Sequence, residues 1–424
     1  MKKITFILTF LLSFGLFAQT TFIHCGKLFD SKTGKIKNEQ TIIVNGDKIE
    51  TVKKGYISPP DGVKAIDLKN KTVYPGFIDM HVHIEGESNP SKYLDRYQLN
   101  PADVAYDAAL YAKRTLMAGF TTVRDMGGSG VNLALRDAIK AGKTAGPRIF
   151  TAGKSLASTG GHGDPTNGNK ESLQGDPGPK DGVVNSPEDA RKAVRQRYKN
   201  GADWIKITAT GGVLSVAKSG ENPQFTSEEI AAITSTAKDY GMQVAAHAHG
   251  DEGMYRAVLN GVKTIEHGTL ISERTMKLMI EKNAFLVATI SAGKFVAEKA
   301  KIPGFYPPII VPKAIKIGAQ IQQTFANAYK MGVPIAFGTD SGVSLHGDNG
   351  REFGYMVEVG MPESEAIQSA TIVNAMVLER ENELGQIAPG FFADIVASED
   401  NALDNIRTLE NITFVMKNGV VFKQ

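Results

Sequence analysis

Trp204-Ile205-Lys206-Ile207-Thr208, a helical stretch over 227–240 opened by Thr226, Val244-Ala245-Ala246-His247, and then Thr264-Ile265-Glu266-His267 make up the stretch that decides the fold. Short apolar runs separated by helix-length amphipathic intervals read as parallel strands with crossover helices. Thr226 and Glu229 have the spacing of a capping box, which marks a helix start. Worked outward, the same alternation predicts eight strands, at 77–82, 121–125, 148–152, 204–208, 244–247, 264–267, 285–289 and 335–339. Helices are predicted over 101–118, 187–200 behind Ser186 as N-cap, and 312–331. Eight strands alternating with helices predict an α/β fold, a (β/α)8 TIM barrel; an open doubly wound sheet would show the same alternation.

Both chain ends are written differently. Residues 21–29, 41–44 and 48–52 are β-type runs with Asn45-Gly46 as a hairpin corner, and 393–397, 412–416 and 420–422 repeat the style around Lys417-Asn418-Gly419. Neither end has enough strands to bury a face, so the two ends together predict one small β-sandwich domain. The expected organisation is a signal peptide at 1–18, the sandwich's first part at 19–73, the barrel at 74–384 and the sandwich's second part at 385–424. The signal reading rests on Met1-Lys2-Lys3, an apolar stretch over 4–17 and Ala18-Gln19, and it predicts an exported, periplasmic or secreted protein. That stretch is too short to span a bilayer comfortably, and no later segment approaches the roughly 20 apolar residues a span needs, so no stable membrane insertion is expected.

The composition of the 424 residues, 42% hydrophobic and 22% charged with a net charge of +3, excludes disordered and fibrous chains. Near charge balance, with no basic run interleaved with aromatics, argues against a nucleic-acid partner. Cys25 is the only cysteine, so no intrachain disulfide can form, and it reads as a strand residue. Stability then comes from the core, a metal or assembly.

The chemistry concentrates at strand ends. Seven of the eight histidines, His81, His83, His162, His247, His249, His267 and His346, fall at strands or in the loops after them; His24 is the exception. In a barrel those ends face one shared cup. His81 and His83 flank Val82, so strand alternation puts both imidazoles on one face, which suits a metal ion and also suits polar packing. His247 and His267, ending strands five and six, favour the metal reading. Asp340, after Gly338-Thr339, is placed to touch a metal and accept a proton from its water, or to cap the next loop. Lys206 lies inside an apolar strand, where an unpaired ammonium is costly. Carboxylation by CO2 would turn it into an anion able to bridge two cations; a snorkelling or salt-bridged lysine is the competing reading.

The sequence resembles the amidohydrolase superfamily, in the branch containing imidazolonepropionase-like proteins and Xaa-Pro dipeptidases. The resemblance is carried by Pro75-Gly76-Phe77-Ile78-Asp79-Met80-His81-Val82-His83, Thr121-Thr122-Val123-Arg124-Asp125, Gly160-Gly161-His162-Gly163-Asp164, Lys206 with Thr210-Gly211-Gly212-Val213, Ala246-His247-Ala248-His249-Gly250, Ile265-Glu266-His267-Gly268 and Gly338-Thr339-Asp340. It implies two divalent metal ions, usually zinc, one held by His81, His83 and Asp340, the other by His247 and His267. Carboxylated Lys206 and a metal-activated hydroxide would bridge them, with Asp340 passing the proton to the leaving nitrogen. His162, in the loop over 157–184, matches a position expected near the substrate, where it can serve the oxyanion. His249, His346 and Arg124 are candidates for substrate contact, against polar packing, a solvated loop residue and a structural ion pair respectively.

The implied function is that of an exported metal-dependent amidohydrolase cleaving dipeptides, Xaa-Pro or similar, or N-acyl amino acids. Cyclic-amide hydrolysis of the imidazolonepropionase or hydantoinase type is the alternative. A silent binding protein would show a lost ligand, and none is lost. The expected partner is a small-molecule or dipeptide substrate, and homo-oligomers are expected because members of the branch often assemble.

Overall fold

The computed structural model describes residues 20–424, and the expected signal peptide lies outside the described residues. The chain opens with β1 (Thr20–Asp30), β2 (Lys35–Asn45), β3 (Lys48–Lys54) and β4 (Lys64–Pro75). The central region supplies β5 (Phe77–Val82), β6 (Phe120–Asp125), β7 (Arg148–Thr151), β8 (Trp204–Thr208), β9 (Gln243–Ala248), β10 (Thr264–His267) and β11 (Phe285–Val287). Three short strands close the chain, β12 (Ile395–Ser398), β13 (Phe414–Lys417) and β14 (Val420–Lys423).

Strands of the two ends join in one seven-stranded sheet of order β14-β13-β12-β4-β1-β2-β3, where two stacked sheets were expected. The reason is backbone pairing: β4 runs parallel to β1 and antiparallel to β12, so it splices both ends into one ladder system. Register shifts in β1, β2 and β13 bend the sheet. The β2–β3 turn and β3 are tied to the chain just before β12, where Ile49 N–H donates to Phe391 O at 2.9 Å and Ala393 N–H donates to Asp47 O at 2.8 Å. One curled sheet thus encloses a core containing Ile23, Cys25, Ile42, Leu68, Ile395 and Phe414. Burial pushes the Cys25 thiol pKa up, which keeps it protonated and inert.

The central strands form two parallel sheets, β5-β6-β7 and β11-β10-β9-β8. Helices Pro101–Met117, Pro187–Lys199, Ser227–Asp239 and Val311–Met331 start at or within one residue of their predicted positions. The Thr226 and Glu229 capping box makes both of its bonds. Segment 335–339, expected as the eighth strand, forms one isolated bridge instead of a ladder, Ile335 with Leu286, and Ser341 just beyond it bridges Val82. Two local causes interrupt it. Asp79 Oδ1 takes the Thr339 N–H at 3.1 Å, and Asp340 turns into the left-handed region at φ +56°. The segment still bonds to both neighbours: Ala336 N–H donates to Leu286 O at 3.0 Å and Asp340 N–H donates to His81 O at 2.7 Å. A further bridge, Leu156 with Ile207, links the chain after β7 to β8.

Strand alternation explains how apolar strands carry polar chemistry. Ile205 and Ile207 of β8, and Val244, Ala246 and Ala248 of β9, pack in the core shared with the helices, each large side chain contributing about 1.5–3 kcal/mol. Trp204 and Ala245 turn the other way, into a cluster with Phe285 and Val287. Two residues further along, on that same inner side, stand Lys206 and His247.

Candidate active site

A cavity of ≈ 420 Å³ opens at the C-terminal ends of the central strands. Its polar lining includes His83, His162, Lys206, His247, His249, His267 and Asp340, and Val213, Leu214, Val296, Ile317 and Ile321 form an apolar wall. His81 stands beneath it, fully buried, with Nε2 3.6 Å from Asp340 Oδ1; His83 Nε2 lies 3.5 Å from the same oxygen. Ligand atoms of His81, His267 and Asp340 all lie within 4.8 Å of one another. His267 thus also approaches the group expected to hold the first ion.

Neighbouring hydrogen bonds set which ring nitrogen each histidine offers. His81 Nδ1–H donates to Glu266 Oε2 at 2.7 Å and His83 Nδ1–H to Gly127 O at 2.9 Å, which leaves both Nε2 lone pairs facing Asp340. His267 Nδ1 pairs with Thr289 Oγ1 at 2.7 Å, leaving its Nε2, whereas His247 donates from Nε2 to Gly211 O at 3.0 Å and keeps Nδ1. His81 Nε2 and Asp340 Oδ1 are both buried without a hydrogen-bond partner. A pair of orphaned acceptors aimed at each other fits a cation, the species that satisfies both at once.

Three non-glycine residues around this point hold left-handed backbone: His267 at φ +72°, Thr289 at +55° and Asp340 at +56°. For a β-branched threonine that conformation is strained, and it persists only where the surroundings over-determine it. Here the buried Glu352 carboxylate accepts the next two backbone N–H groups, Ile290 at 2.8 Å and Ser291 at 2.7 Å, capping helix Ile290–Lys299 from outside. Thr289 is thereby fixed against His267.

Burial controls the charges. It holds all seven of these histidines below the usual imidazole range, His83, His162 and His249 at about 3 and His346 at about 4, so all are neutral near pH 7. Burial also raises Asp79 to about 6 and Asp125, Asp340 and Glu352 to about 7. The two sets act oppositely on stability. Below pH 6.5 the unfolded chain protonates histidines that the folded chain keeps neutral, which favours unfolding; the four acids, protonated in the fold but ionised when unfolded, oppose this. The histidines outnumber the acids, so the unfolding free energy in chelator is expected to fall as pH drops from 6.5 to 4, as denaturant titrations at several pH values would read. A flat profile would mean that the rings are not held neutral.

Lys206 is 3% exposed and makes no ion pair among the described residues; burial lowers it to about 8. His162 is placed at the cavity by its backbone N–H, which donates to Gln224 Oε1 at 2.7 Å, and its ring stacks on His247 with centroids 4.2 Å apart. Its Nδ1 is buried and unpartnered. A Cβ added at Gly212 would fall 2.2 Å from that ring, so glycine there gives the imidazole its space. His249 also lines the cavity, with Nδ1 on Thr269 Oγ1 at 2.9 Å.

Two expected substrate contacts are placed elsewhere. Arg124 is fully buried beneath the site, its guanidinium donating to Glu266 Oε1 at 2.8 Å, Met80 O at 2.7 Å and Thr264 Oγ1 at 3.1 Å, and lying over the Trp204 ring. No donor is directed at the cavity. His346 is buried behind His83, stacked on Tyr111 at 4.9 Å with its ring nitrogens on Thr115 Oγ1 and Gly86 O, so it secures the loop instead of meeting solvent or substrate. Sequence reasoning missed Glu266, which joins Arg124 to His81. The signal was present, because two opposite charges in two apolar strands need each other as partners.

Residues 72–422 match the sequence profile of the Amidohydrolase family. The chain is 29% identical to the ochratoxinase of Aspergillus niger over 96% of its own length and 87% of the relative's. A crystal structure of a Xaa-Pro dipeptidase with methionine bound in its active site superposes with a TM-score of 0.93 at 52% identity, covering 96% of this chain and 100% of the other. A prolidase complexed with N-methylphosphonate-L-proline gives 0.86 at 32% identity, with 96% and 100% covered. Fold and site together define a hydrolase acting on amide C–N bonds. The chain belongs to the amidohydrolase family, with its TIM-barrel-like α/β fold.

Proposed function

We propose that this protein is an exported hydrolase of the amide bond in dipeptides, Xaa-Pro or similar, or N-acyl amino acids. It holds two divalent cations, zinc in the first instance, through His81, His83 and Asp340 and through His247 and His267, with Lys206 carboxylated between them. The carrying observation is the orphaned pair His81 Nε2 and Asp340 Oδ1, buried and 3.6 Å apart. Likeness to the Xaa-Pro dipeptidase over nearly the whole chain supports the substrate class. The expected leader over 1–18 supports export, and a chain with one cysteine and no disulfide fits a homo-oligomer. We read the two parallel sheets and segment 334–341 as one (β/α)8 barrel over 74–384, with the curled sheet of 19–73 and 385–424 as its accessory domain.

Cations bound there would supply Lewis-acid polarisation of the scissile carbonyl and a water of lowered pKa. The Asp340 carboxylate would accept a proton from the attacking water and hand it to the leaving nitrogen. His162, aimed into the cavity, donates to the carbonyl oxygen as negative charge develops. Lys206 makes no ion pair among the described residues, and burial, which lowers its pKa to about 8, gives it a larger share of the neutral amine to which CO2 would add with loss of a proton. Glu266 keeps His81 in one tautomer and orientation.

Zinc-loaded chain beginning at Gln19 should release free amino acid from a panel of dipeptides and N-acyl amino acids, with one class of C-terminal residue favoured. Two bound metals with no release from any member would overturn the linear-amide reading and leave cyclic amides as substrates.

A further inference from the structure

The cavity's charge inventory points to one unassigned residue. Lys92, the first residue of helix Lys92–Gln98, lines the cavity. Its Nζ donates to Gly342 O at 3.1 Å, two residues past Asp340, and makes no ion pair among the described residues. An ammonium has three donors, so two remain. Other cations near the mouth have their donors engaged. Lys313 donates to the carbonyls of Gly212, Ser215 and Ala217 at 3.1, 2.7 and 2.9 Å, and Arg124 is neutralised by Glu266 below the floor. Lys206 lies at the floor among the histidines. The rim carboxylate Glu85 is engaged too, accepting from Ser129 and Asn132 N–H, each at 2.6 Å. The lining residues Val213, Leu214, Val296, Ile317 and Ile321 offer only hydrocarbon.

Resting on the amide-hydrolase reading above, we propose that Lys92 is the counter-ion for the free α-carboxylate of the substrate's departing amino acid, whose apolar side chain packs on the Val296, Ile317 and Ile321 wall. An ammonium in a largely apolar cavity is poorly hydrated, so a carboxylate gains more from it there than in water. The same wall offers a basic side chain no acceptor. The substrate class is therefore amides of apolar amino acids with a free carboxylate.

The test uses N-acetyl-L-leucine and N-acetyl-isoamylamine, which share one amide and one side chain and differ only in the carboxylate, together with N-acetyl-L-arginine. Affinity for the metal-loaded protein is measured by calorimetry, and kcat/KM wherever turnover occurs. Wild type should favour the leucine compound over its decarboxylated analogue by about 10- to 100-fold, and Lys92→Met should remove that ratio, chiefly through binding. Lys92→Arg should keep part of it. A ratio near one in wild type, undetectable binding of the pair, or an unchanged ratio in Lys92→Met would overturn the role of Lys92. Tighter binding of the arginine compound would overturn the apolar side-chain site. Carboxylate-dependent binding lost in Lys92→Met, but with no hydrolysis of any linear amide, would support Lys92 and remove the linear-amide reading instead.

Discussion

Glu266→Leu is expected to lower the unfolding free energy by about 3–5 kcal/mol, because it strands the Arg124 guanidinium in the interior without its carboxylate. Both side chains are wholly inaccessible, and the pair sits at 2.8 Å with Thr264 and Trp204 completing the enclosure. Desolvating two charges is itself costly, so removing both should do less damage than removing one. The double variant Arg124→Met, Glu266→Leu is therefore expected to regain most of the lost stability in denaturant titrations. Its turnover should stay low, since His81 Nδ1 has still lost its acceptor. If stability and activity recover together, Glu266 is not what orients His81; if the single variant is as stable as wild type, the ion pair contributes nothing.

Asp340→Asn should reduce turnover by about 100- to 10,000-fold, the span associated with losing a positioned proton acceptor. Asparagine is the informative replacement. It tolerates the left-handed backbone at φ +56°, where alanine would be strained, and the bond from its N–H to His81 O at 2.7 Å survives. The amide keeps one oxygen but cannot take a proton. Metal content should be measured on the same preparation, because it separates a lost ligand from a lost base. Wild-type turnover in the variant would remove Asp340 from the proton transfer.

Much of this was legible in the chain itself. Strand limits for β5, β8 and β10 follow from apolar runs, and period-two alternation puts His247 and Lys206 inward. Lys206 stood out because an apolar strand cannot ignore an ammonium. The same logic gave Arg124 a structural ion pair with an acid as one of its two readings, and Glu266 is that acid. Segment 335–339 has a strand-like sequence, but the side chain of Asp79 takes one of its backbone donors. No local pattern announces a carboxylate from another strand. The positive φ of Thr289 was equally invisible, since β-branched residues normally argue against it and only Glu352, far along the chain, holds the turn. Lys92 reads as an ordinary exposed helix lysine until the loop holding Gly342 folds beside it.

The splicing of β4 between β1 and β12 has a consequence for biosynthesis. β1 to β4 emerge first, but the other edge of β4 has no partner until Ile395–Ser398 has been made, after every central strand and helix. For most of translation the nascent chain therefore carries an open strand edge, the feature most prone to pairing with a wrong neighbour. The closing contacts are among the most distant in sequence, so they belong to the slow end of folding. A chain truncated just before β12 would keep all the histidines of the cup yet leave that edge permanently bare, and aggregation would be its natural fate.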